Sequence, residues 1–297
     1  MGLKGAAEAI WQFNVGLIDA LCDIVPAVKP QAAYYENLGW QGMEMLERTI
    51  AYAKEKGMFV IADIKRGDIG STATAYAEGW LSGAPIEGQL FKSFDADCVT
   101  LNGYMGSDSI NPFLNAAKEE DKCAFVLVKT SNPGSGELQD LMIGDKTVYQ
   151  VMGELNESIA AGTEGKYGYT MAGAVTGATY PSDIRALRKR LEHTFFLVPG
   201  YGAQGGGAAG NVLFPYQIPV RQQVVLCVMS QYCAGGILRY GKCHFIPMVN
   251  RALLGQSKRK GGGRITHPQM RAACMKFFCC FSPCRNCDAK LQVLIQI

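Results

Sequence analysis

The stretch FVIADIKRGDIGST, residues 59–72, joins a strand-like apolar run to a dense alternation of charge. In a β-strand, residues two apart face the same side of the sheet, so Asp63 and Lys65 are predicted to project together while Ile64 faces the packing. The segment therefore predicts a buried strand whose carboxyl end carries a charged site. The same residues in isolation would also fit a solvated salt-bridge turn, which is common at strand ends.

Two further charged residues favour the site. Lys29 ends the preceding strand-like run IVPAVK, and in a barrel its ammonium group would reach Asp63 on the neighbouring strand. Asp68 follows in the turn and extends the alternation to a row of Lys29, Asp63, Lys65 and Asp68. Because buried charges persist only when they are paired and hydrogen-bonded, such a row would fix the protonation state of each group. A lysine held as a cation is a suitable proton donor to a carbanion.

Short strand-like runs alternate with amphipathic segments from residue 24 to about residue 202, which is typical of βα units around a parallel sheet. Strands are predicted at 24–29, 58–65, 96–102, 124–131, 172–178 and 194–200. Helices are predicted at 35–56, 72–82, 107–119, 147–162 and 181–192, with Ser71 or Thr72 capping the second. Nearly every strand ends in polar residues, which favours an α/β fold of the (β/α)8 TIM-barrel type. An open doubly wound sheet, the alternative, would concentrate its ligands at one switch point.

Both ends of the chain depart from this rhythm. A short helix precedes the first strand-like run, so the barrel is predicted to lack its first strand. The alternation of strand-like and helical segments stops after residue 207. Residues 1–210 hold 17 Lys and Arg against 25 Asp and Glu, whereas residues 211–297 hold 12 against 1 and contain eight of the 11 cysteines. We therefore predict an incomplete barrel over residues 1–207 and a basic, Cys-rich tail over residues 208–297. A shifted reading frame near residues 207–212 would produce such a tail, and the open barrel edges predict poor folding.

Several other classes of protein are disfavoured. The N-terminus lacks the apolar block of a signal peptide, and no run of eighteen apolar residues is present, so a cytoplasmic protein without a membrane span is expected. In the tail, Cys284 and Cys287 lack the second well-spaced pair of a zinc site. The basic run at 257–264 is more typical of a solvated loop than of a nucleic-acid arm. The glycine run GYGAQGGG, at 200–207, is either a flexible turn or a phosphate-binding loop, and the run by itself favours the turn.

Several segments of the chain, taken in order, resemble those of a known enzyme family. VIADIKRGDIGST matches the D-x-K-x-x-D-[IV]-x-x-T signature of orotidine 5′-phosphate decarboxylase, and the chain resembles the second bacterial subfamily of that enzyme. The supporting segments are FNVGLIDALCDIVPAVKPQAAYYE, DCVTLNGYMGSDSINPF, FVLVKTSNPGSGELQDL, GAVTGATYP and FFLVPGYGAQGG. Together they cover residues 11 to about 207 in the family's order.

The resemblance implies a TIM-barrel decarboxylase that acts on orotidine monophosphate with neither a metal nor an organic cofactor. Lys65 is implied to deliver a proton to C6 of the pyrimidine as carbon dioxide leaves. Asp63 would lie beside the substrate carboxylate, and Lys29 would hold Asp63 and contact the ribose.

A homodimer with shared active sites is also implied. Asp68, together with Ile69 and Thr72, would reach across the dimer interface into the partner's site. No partnership with nucleic acid or with a membrane is implied.

The remaining implied contacts surround the substrate. Ser131 and Pro133 would contact the pyrimidine ring, and Asn102 would lie near the floor of the site. Gly202 and Gln204, in the glycine-rich loop, would bind at the phosphate.

The chain also departs from the family pattern. The first strand, with its Gly-Leu-Asp-Pro type ending, is absent ahead of Trp11, and no Asn-Ser-Ser-Arg-Gly type motif with a phosphate-gripping arginine follows residue 207. Two alternatives to the decarboxylase therefore stay open at this point. One is a magnesium-dependent sugar-phosphate lyase or decarboxylase of the same barrel superfamily, such as hexulose-phosphate synthase, and the other is a non-catalytic, truncated remnant.

Overall fold

Eight parallel strands form a closed barrel in the computed structural model, which describes residues 2–23, 25–201, 224–229 and 292–296. The barrel strands, β1 to β8 in chain order, are Ala27–Lys29, Phe59–Arg66, Cys98–Leu101, Cys123–Lys129, Ala172–Thr176, Phe196–Tyr201, Val224–Met229 and Gln292–Gln296. Strands that follow one another in the chain are neighbours in the barrel, and β8 pairs with β1 to close it. The predicted TIM-barrel fold is confirmed.

Helices alternate with these strands in the first two thirds of the chain. The helices, α1 to α8 in chain order, are Leu3–Leu21, Ala32–Glu36, Gly39–Glu55, Gly70–Ala77, Ser107–Glu119, Gly136–Gln139, Val148–Ala160 and Pro181–Arg190. A π-helical turn at Glu78–Ser82 extends α4, and two short antiparallel hairpins stand outside the barrel, at 84–91 and 142–147. Within the described residues, no helix has both the length and the apolar character that crossing a membrane requires.

The six predicted strands are confirmed to within a few residues, but two predicted helices differ in detail. The helix predicted at 35–56 is divided into α2 and α3, and Gly39, at φ +65°, lies at the break. The helix predicted at 72–82 begins at Gly70, and no side chain caps it. The prediction that Ser71 or Thr72 caps this helix is therefore wrong, because both residues already lie inside the first turn.

Each of the first six strands contributes one buried apolar residue to a cluster inside the barrel. These residues are Ala27, Ile61, Cys98, Phe125, Val175 and Leu197. Because side chains alternate along a strand, Asp63 and Lys65 continue the row that Ile61 begins, toward the carboxyl end of β2. A separate and larger cluster packs the outer faces of the strands against the helices.

The last two barrel strands come from the tail. Leu294, in β8, pairs with Ala27 of β1 on one side and with Cys227 of β7 on the other. Residues 292–296 thus occupy the position between β7 and β1 in the barrel. The expectation of an open barrel edge is wrong, because the tail supplies the missing strand.

Most of the tail lies outside the described residues. The division of the chain at residue 207, the shifted reading frame near residues 207–212 and the tail cysteines Cys284 and Cys287 therefore stay predictions. Within the part of the chain that the structure describes, no three His, Cys, Asp or Glu side chains gather in a way that would hold a metal ion.

Candidate active site

Asp63 is the centre of a charged cluster at the carboxyl end of β2. The ammonium of Lys29, at the end of β1, donates to its Oδ2, and the ammonium of Lys65 donates to its Oδ1. Asp63 and Lys29 are both buried, whereas 44% of the Lys65 side chain is exposed. The structure therefore brings together three of the four residues in the predicted charged row, and it places Lys65 where the barrel opens.

The charge state of Asp63 follows from these contacts. Burial by itself raises the pKa of the Asp63 carboxyl, but the charges of Lys29 and Lys65 and the hydrogen bonds from both lysines outweigh burial. The pKa of Asp63 is consequently held well below its usual range. Asp63 stays ionised at neutral pH and provides a fixed negative charge between two ammonium groups.

Two uncharged donors complete the surroundings of the carboxylate. Gln31 Nε2 donates to Oδ2 of Asp63 over 3.1 Å, and Thr100 Oγ1 donates to Oδ1 over 2.8 Å. An ionised carboxylate offers about four acceptor positions, and here four side chains use them. The orientation of Asp63 is therefore fixed from all sides.

The backbone of Lys65 is unusual. Its φ is +49°, in the left-handed region that residues other than glycine seldom adopt. The Lys65 N–H donates to Thr100 Oγ1 over 3.0 Å. Sparsely populated backbone conformations of this kind cost free energy and concentrate at functional sites.

Asp68 does not join the cluster. Its Oδ1 accepts a hydrogen bond from the backbone N–H of Ile69 over 2.8 Å, and Asp68 forms no ion pair within the described ranges. Ile69 is 57% exposed, and Thr72 is exposed on the first turn of α4. In the single chain Asp68 therefore stands apart from the ion pairs of Lys29, Asp63 and Lys65, and its reach into a partner's site stays a prediction.

The other predicted contact residues lie at neighbouring strand ends. Asn102 is exposed just beyond β3, where its Oδ1 accepts from the Tyr104 N–H over 3.1 Å. Ser131 is half-buried after β4, and Pro133 is exposed and begins a turn at Pro133–Ser135. Gly202 and Gln204 lie outside the described residues.

At the end of β4 the structure shows another ion-paired lysine, Lys129, which is not among the predicted site residues. Lys129 is fully buried, and its ammonium pairs with Asp140. The same ammonium lies 4.6 Å from the ring centroid of Tyr180 and 5.4 Å from that of Tyr149. These contacts join the two ends of the segment that carries Ser131.

Two other site residues, Gln31 and Thr100, were also missed by sequence reasoning. Each stands two positions beyond an inward-facing residue, Lys29 in β1 and Cys98 in β3, so strand alternation was the signal that could have found them.

A closed parallel barrel with an ion-paired lysine at its strand ends defines a (β/α)8-barrel enzyme whose site suits proton transfer. Residues 12–221 match the model of the orotidine 5′-phosphate decarboxylase / HUMPS family, past the predicted boundary at residue 207. The chain belongs to this family. The resemblance stated from the motifs is thereby confirmed.

Curated relatives and solved structures agree with this assignment. The orotidine 5′-phosphate decarboxylase of Rhodopirellula baltica is 47% identical over 202 residues, which are 68% of this chain and 66% of the relative. That of Clostridium perfringens strain SM101 is 42% identical over 203 residues, 68% of each chain. The matched segment thus spans about two thirds of the length of these relatives.

Two solved structures from Leishmania donovani resemble the barrel. Its orotidine monophosphate decarboxylase is 36% identical, with a TM-score of 0.56, and the match covers 66% of this chain and 70% of that one. Its uridine monophosphate synthase is 38% identical, with a TM-score of 0.57, and the match covers 67% of this chain and 40% of that one.

Proposed function

We propose that the chain is a carboxy-lyase that converts orotidine 5′-monophosphate to uridine 5′-monophosphate in pyrimidine synthesis. The observation that carries the proposal is the ion-paired cluster of Lys29, Asp63 and Lys65 at the carboxyl ends of β1 and β2, in a chain of the decarboxylase family.

Lys65 is the proton donor in this scheme. As the bond between C6 and the carboxylate breaks, carbon dioxide leaves and the bonding electron pair stays on C6. That pair takes a proton from Lys65 Nζ, so the ammonium becomes an amine. Because 44% of the Lys65 side chain is exposed, the amine regains a proton from solvent once the product has left.

The fixed charges stabilise the carbanion as it forms. The electron pair on C6 is weakly delocalised, so a preorganised ammonium beside it lowers the barrier more than mobile water would. Asp63 holds Lys65 in place and lies beside the substrate carboxylate. Lys29 neutralises part of the Asp63 charge and contacts the ribose.

The remaining residues orient the substrate. Ser131 and Pro133 contact the pyrimidine, Asn102 lies near the floor of the site, and Gly202 and Gln204 bind at the phosphate. Binding energy from the remote phosphate holds the ring in the reactive position.

The direct test incubates the purified chain with orotidine 5′-monophosphate and follows the ultraviolet absorbance change as the pyrimidine carboxylate is lost. Turnover that persists with a metal chelator is expected, and it opposes the magnesium-dependent lyase. A folded protein without turnover would instead support the non-catalytic remnant.

The active unit is proposed to be a homodimer with shared sites. Ile69 is 57% exposed and Tyr104 is 77% exposed, so apolar surface lies at the rim near Asp68. Burying such surface against a second copy would stabilise the pair and carry Asp68 toward the partner's site.

Mixing two inactive variants tests the shared site. In a heterodimer of Asp68→Ala and Lys65→Ala chains, one site keeps both residues and the other loses both. Random pairing should restore about one quarter of the wild-type rate. Heterodimers that form without regaining activity would show that Asp68 acts within its own subunit.

We also propose a cytoplasmic location, in line with the role in pyrimidine synthesis. Cell fractionation with an antibody against the chain tests it, and recovery in the membrane fraction would contradict it.

A further inference from the structure

We infer that Thr100 is a positioning residue that sets the geometry of Asp63 and Lys65, an inference that rests on the proposed proton-donor role of Lys65. Thr100 lies on β3, two positions beyond the inward-facing Cys98, and is 1% exposed.

The Thr100 hydroxyl joins the two charged residues directly. It donates to Asp63 Oδ1 over 2.8 Å and accepts from the Lys65 backbone N–H over 3.0 Å. A hydroxyl carries one proton and two acceptor positions. Because the ionised carboxylate only accepts and the Lys65 N–H only donates, the direction of both hydrogen bonds is determined.

The strand pairing explains why a side chain is needed here. β2 and β3 pair in regular register at Ala62 and Val99, and the register then shifts before Arg66 pairs with Leu101. Lys65 falls within this irregularity. The Thr100 hydroxyl accepts the hydrogen bond of the Lys65 N–H, which in an unbroken ladder would go to a backbone carbonyl.

This hydrogen bond supports the strained backbone of Lys65. At φ +49° the residue leaves the extended conformation that β2 otherwise keeps. In this conformation the Lys65 ammonium reaches Asp63 Oδ1, the oxygen to which Thr100 also donates. Removing the hydroxyl would take away one of the four donors to the carboxylate and also the acceptor of the Lys65 N–H.

Thr100→Val tests this role, because valine keeps the branched shape and lacks the hydroxyl. We expect kcat to fall by about 10- to 100-fold, as for loss of one hydrogen bond to a charged group in a transition-state-stabilising array. KM for orotidine 5′-monophosphate should change by less than about threefold, because Thr100 is 1% exposed and its hydroxyl is already bonded to Asp63 and to the Lys65 N–H. Thr100→Ser keeps the hydroxyl and should retain most of the wild-type kcat.

The kinetic pattern separates positioning from mere stability. A purely structural role would lower the melting temperature of the Val and Ser variants and leave kcat of the folded fraction unchanged, which would overturn the inference. If Thr100→Val does not fold, Thr100→Cys, which is close in size and only a weak donor, is expected to show the same fall in kcat.

A crystal structure of Thr100→Val gives a readout that does not require activity. We expect Lys65 to leave the left-handed region and its ammonium to move away from Asp63 Oδ1. An unchanged Lys65 backbone and an unchanged Asp63 contact would overturn the inference. A wild-type chain without turnover would refute the proposed function, while this structural comparison would still decide the role of Thr100.

Discussion

Two ammonium groups share a single carboxylate at the centre of the site. Lys29 and Lys65 each contact one oxygen of Asp63, so the three side chains together carry one net positive charge. A substrate carboxylate that binds beside these three side chains therefore meets a net positive charge, and one of the three, Lys65, can also donate a proton.

Lys65→Ala should lower the decarboxylation rate by about 10²- to 10⁴-fold, because general acid catalysis by a positioned side chain is of this size. The fold should persist, since the Lys65 side chain is partly exposed and Lys29 remains to pair Asp63. Absorbance kinetics and thermal unfolding measure the two effects. Lys118→Ala, an exposed lysine in the last turn of α5, is the control and should leave both unchanged. Appreciable turnover by Lys65→Ala would remove Lys65 from the donor role.

The sequence predicted these residues unevenly. Lys29, Asp63 and Lys65 follow from strand alternation and from neighbouring strand ends, which are local patterns. The contribution of Thr100 depends on a register shift between β2 and β3, and pairing of this kind cannot be read from either strand alone.

The segment after β4 is held by a fully buried lysine. Besides the pairing of Lys129 with Asp140, the Thr130 N–H donates to Gln139 Oε1 over 2.9 Å. Thr179 Oγ1 donates to the Ser131 carbonyl over 3.2 Å. These contacts restrict the backbone on both sides of Ser131.

Lys129→Met should loosen this segment, because methionine fills a similar volume without the charge that holds Asp140 and the two tyrosine rings. We expect KM to rise about tenfold and the free energy of unfolding to fall by about 1–3 kcal/mol. Lys146→Met is the matched control. Its partner is Glu154 at 2.7 Å, both side chains are about one third exposed, and pairs near the surface contribute about 0–1 kcal/mol. Equal effects of the two variants would contradict a special role for Lys129.

A buried hydrogen-bonded group connects α1, α2 and α3. Asn14 Nδ2 donates to Tyr35 Oη over 2.8 Å and to Thr49 Oγ1 over 3.1 Å, and all three residues are buried. Burial raises the pKa of Tyr35 to about 12, although the hydrogen bonds from Asn14 and Thr49 oppose this rise.

Tyr35 makes stability fall at high pH. Its contribution is fully present below the pKa of about 10 that tyrosine has in the unfolded chain. It is lost as pH rises to about 12, because the unfolded chain releases the proton first. Urea unfolding between pH 9 and 12 should show a loss of about 2 kcal/mol from this residue. Tyr35→Phe should have a smaller slope, whereas Tyr167→Phe, at an exposed tyrosine, should match wild type. Equal slopes in all three proteins would argue against titration of Tyr35.

Helix and strand positions were largely predictable, but breaks and hairpins were not. The division of the predicted helix 35–56 depends on the close approach of α2 and α3. A Cβ on Gly42 would lie 1.9 Å from the carbonyl oxygen of Tyr35, so glycine is required there for a reason that periodicity does not reveal. The hairpins at 84–91 and 142–147 have strands of only two or three residues, too short for an alternating pattern.

At the scale of the whole molecule, the barrel is closed by residues of the tail. The changes in charge and cysteine content after residue 210 indicated that the chain alters its character there. The role of residues 292–296 was not predictable, since five strand-like residues without a following helix carry no information about their neighbours in the sheet. Their position beside β1 is a property of the closed fold.

Leu294→Pro should destabilise the barrel. Residue 294 lies in the middle of β8 and pairs with both β1 and β7, and proline has no N–H to donate there. We expect a fall of about 3 kcal/mol or more in the free energy of unfolding, with increased light scattering on heating. Leu294→Val retains the N–H and favours strands, so it should stay close to wild type. A proline variant as stable as wild type would place these residues outside the barrel.

The pairing of β8 with β1 also determines when the barrel can form. Ala27 and Leu294 pair across most of the length of the chain, so this contact has a very large sequence separation. During synthesis β1 to β7 would leave the ribosome with two unpaired edges, and the ring could close only after residues 292–296 had emerged. Contacts of such separation form slowly and leave strand edges exposed to other chains. The yield of native protein should therefore depend on chaperones during synthesis, more than it would for a barrel whose first strand is made first.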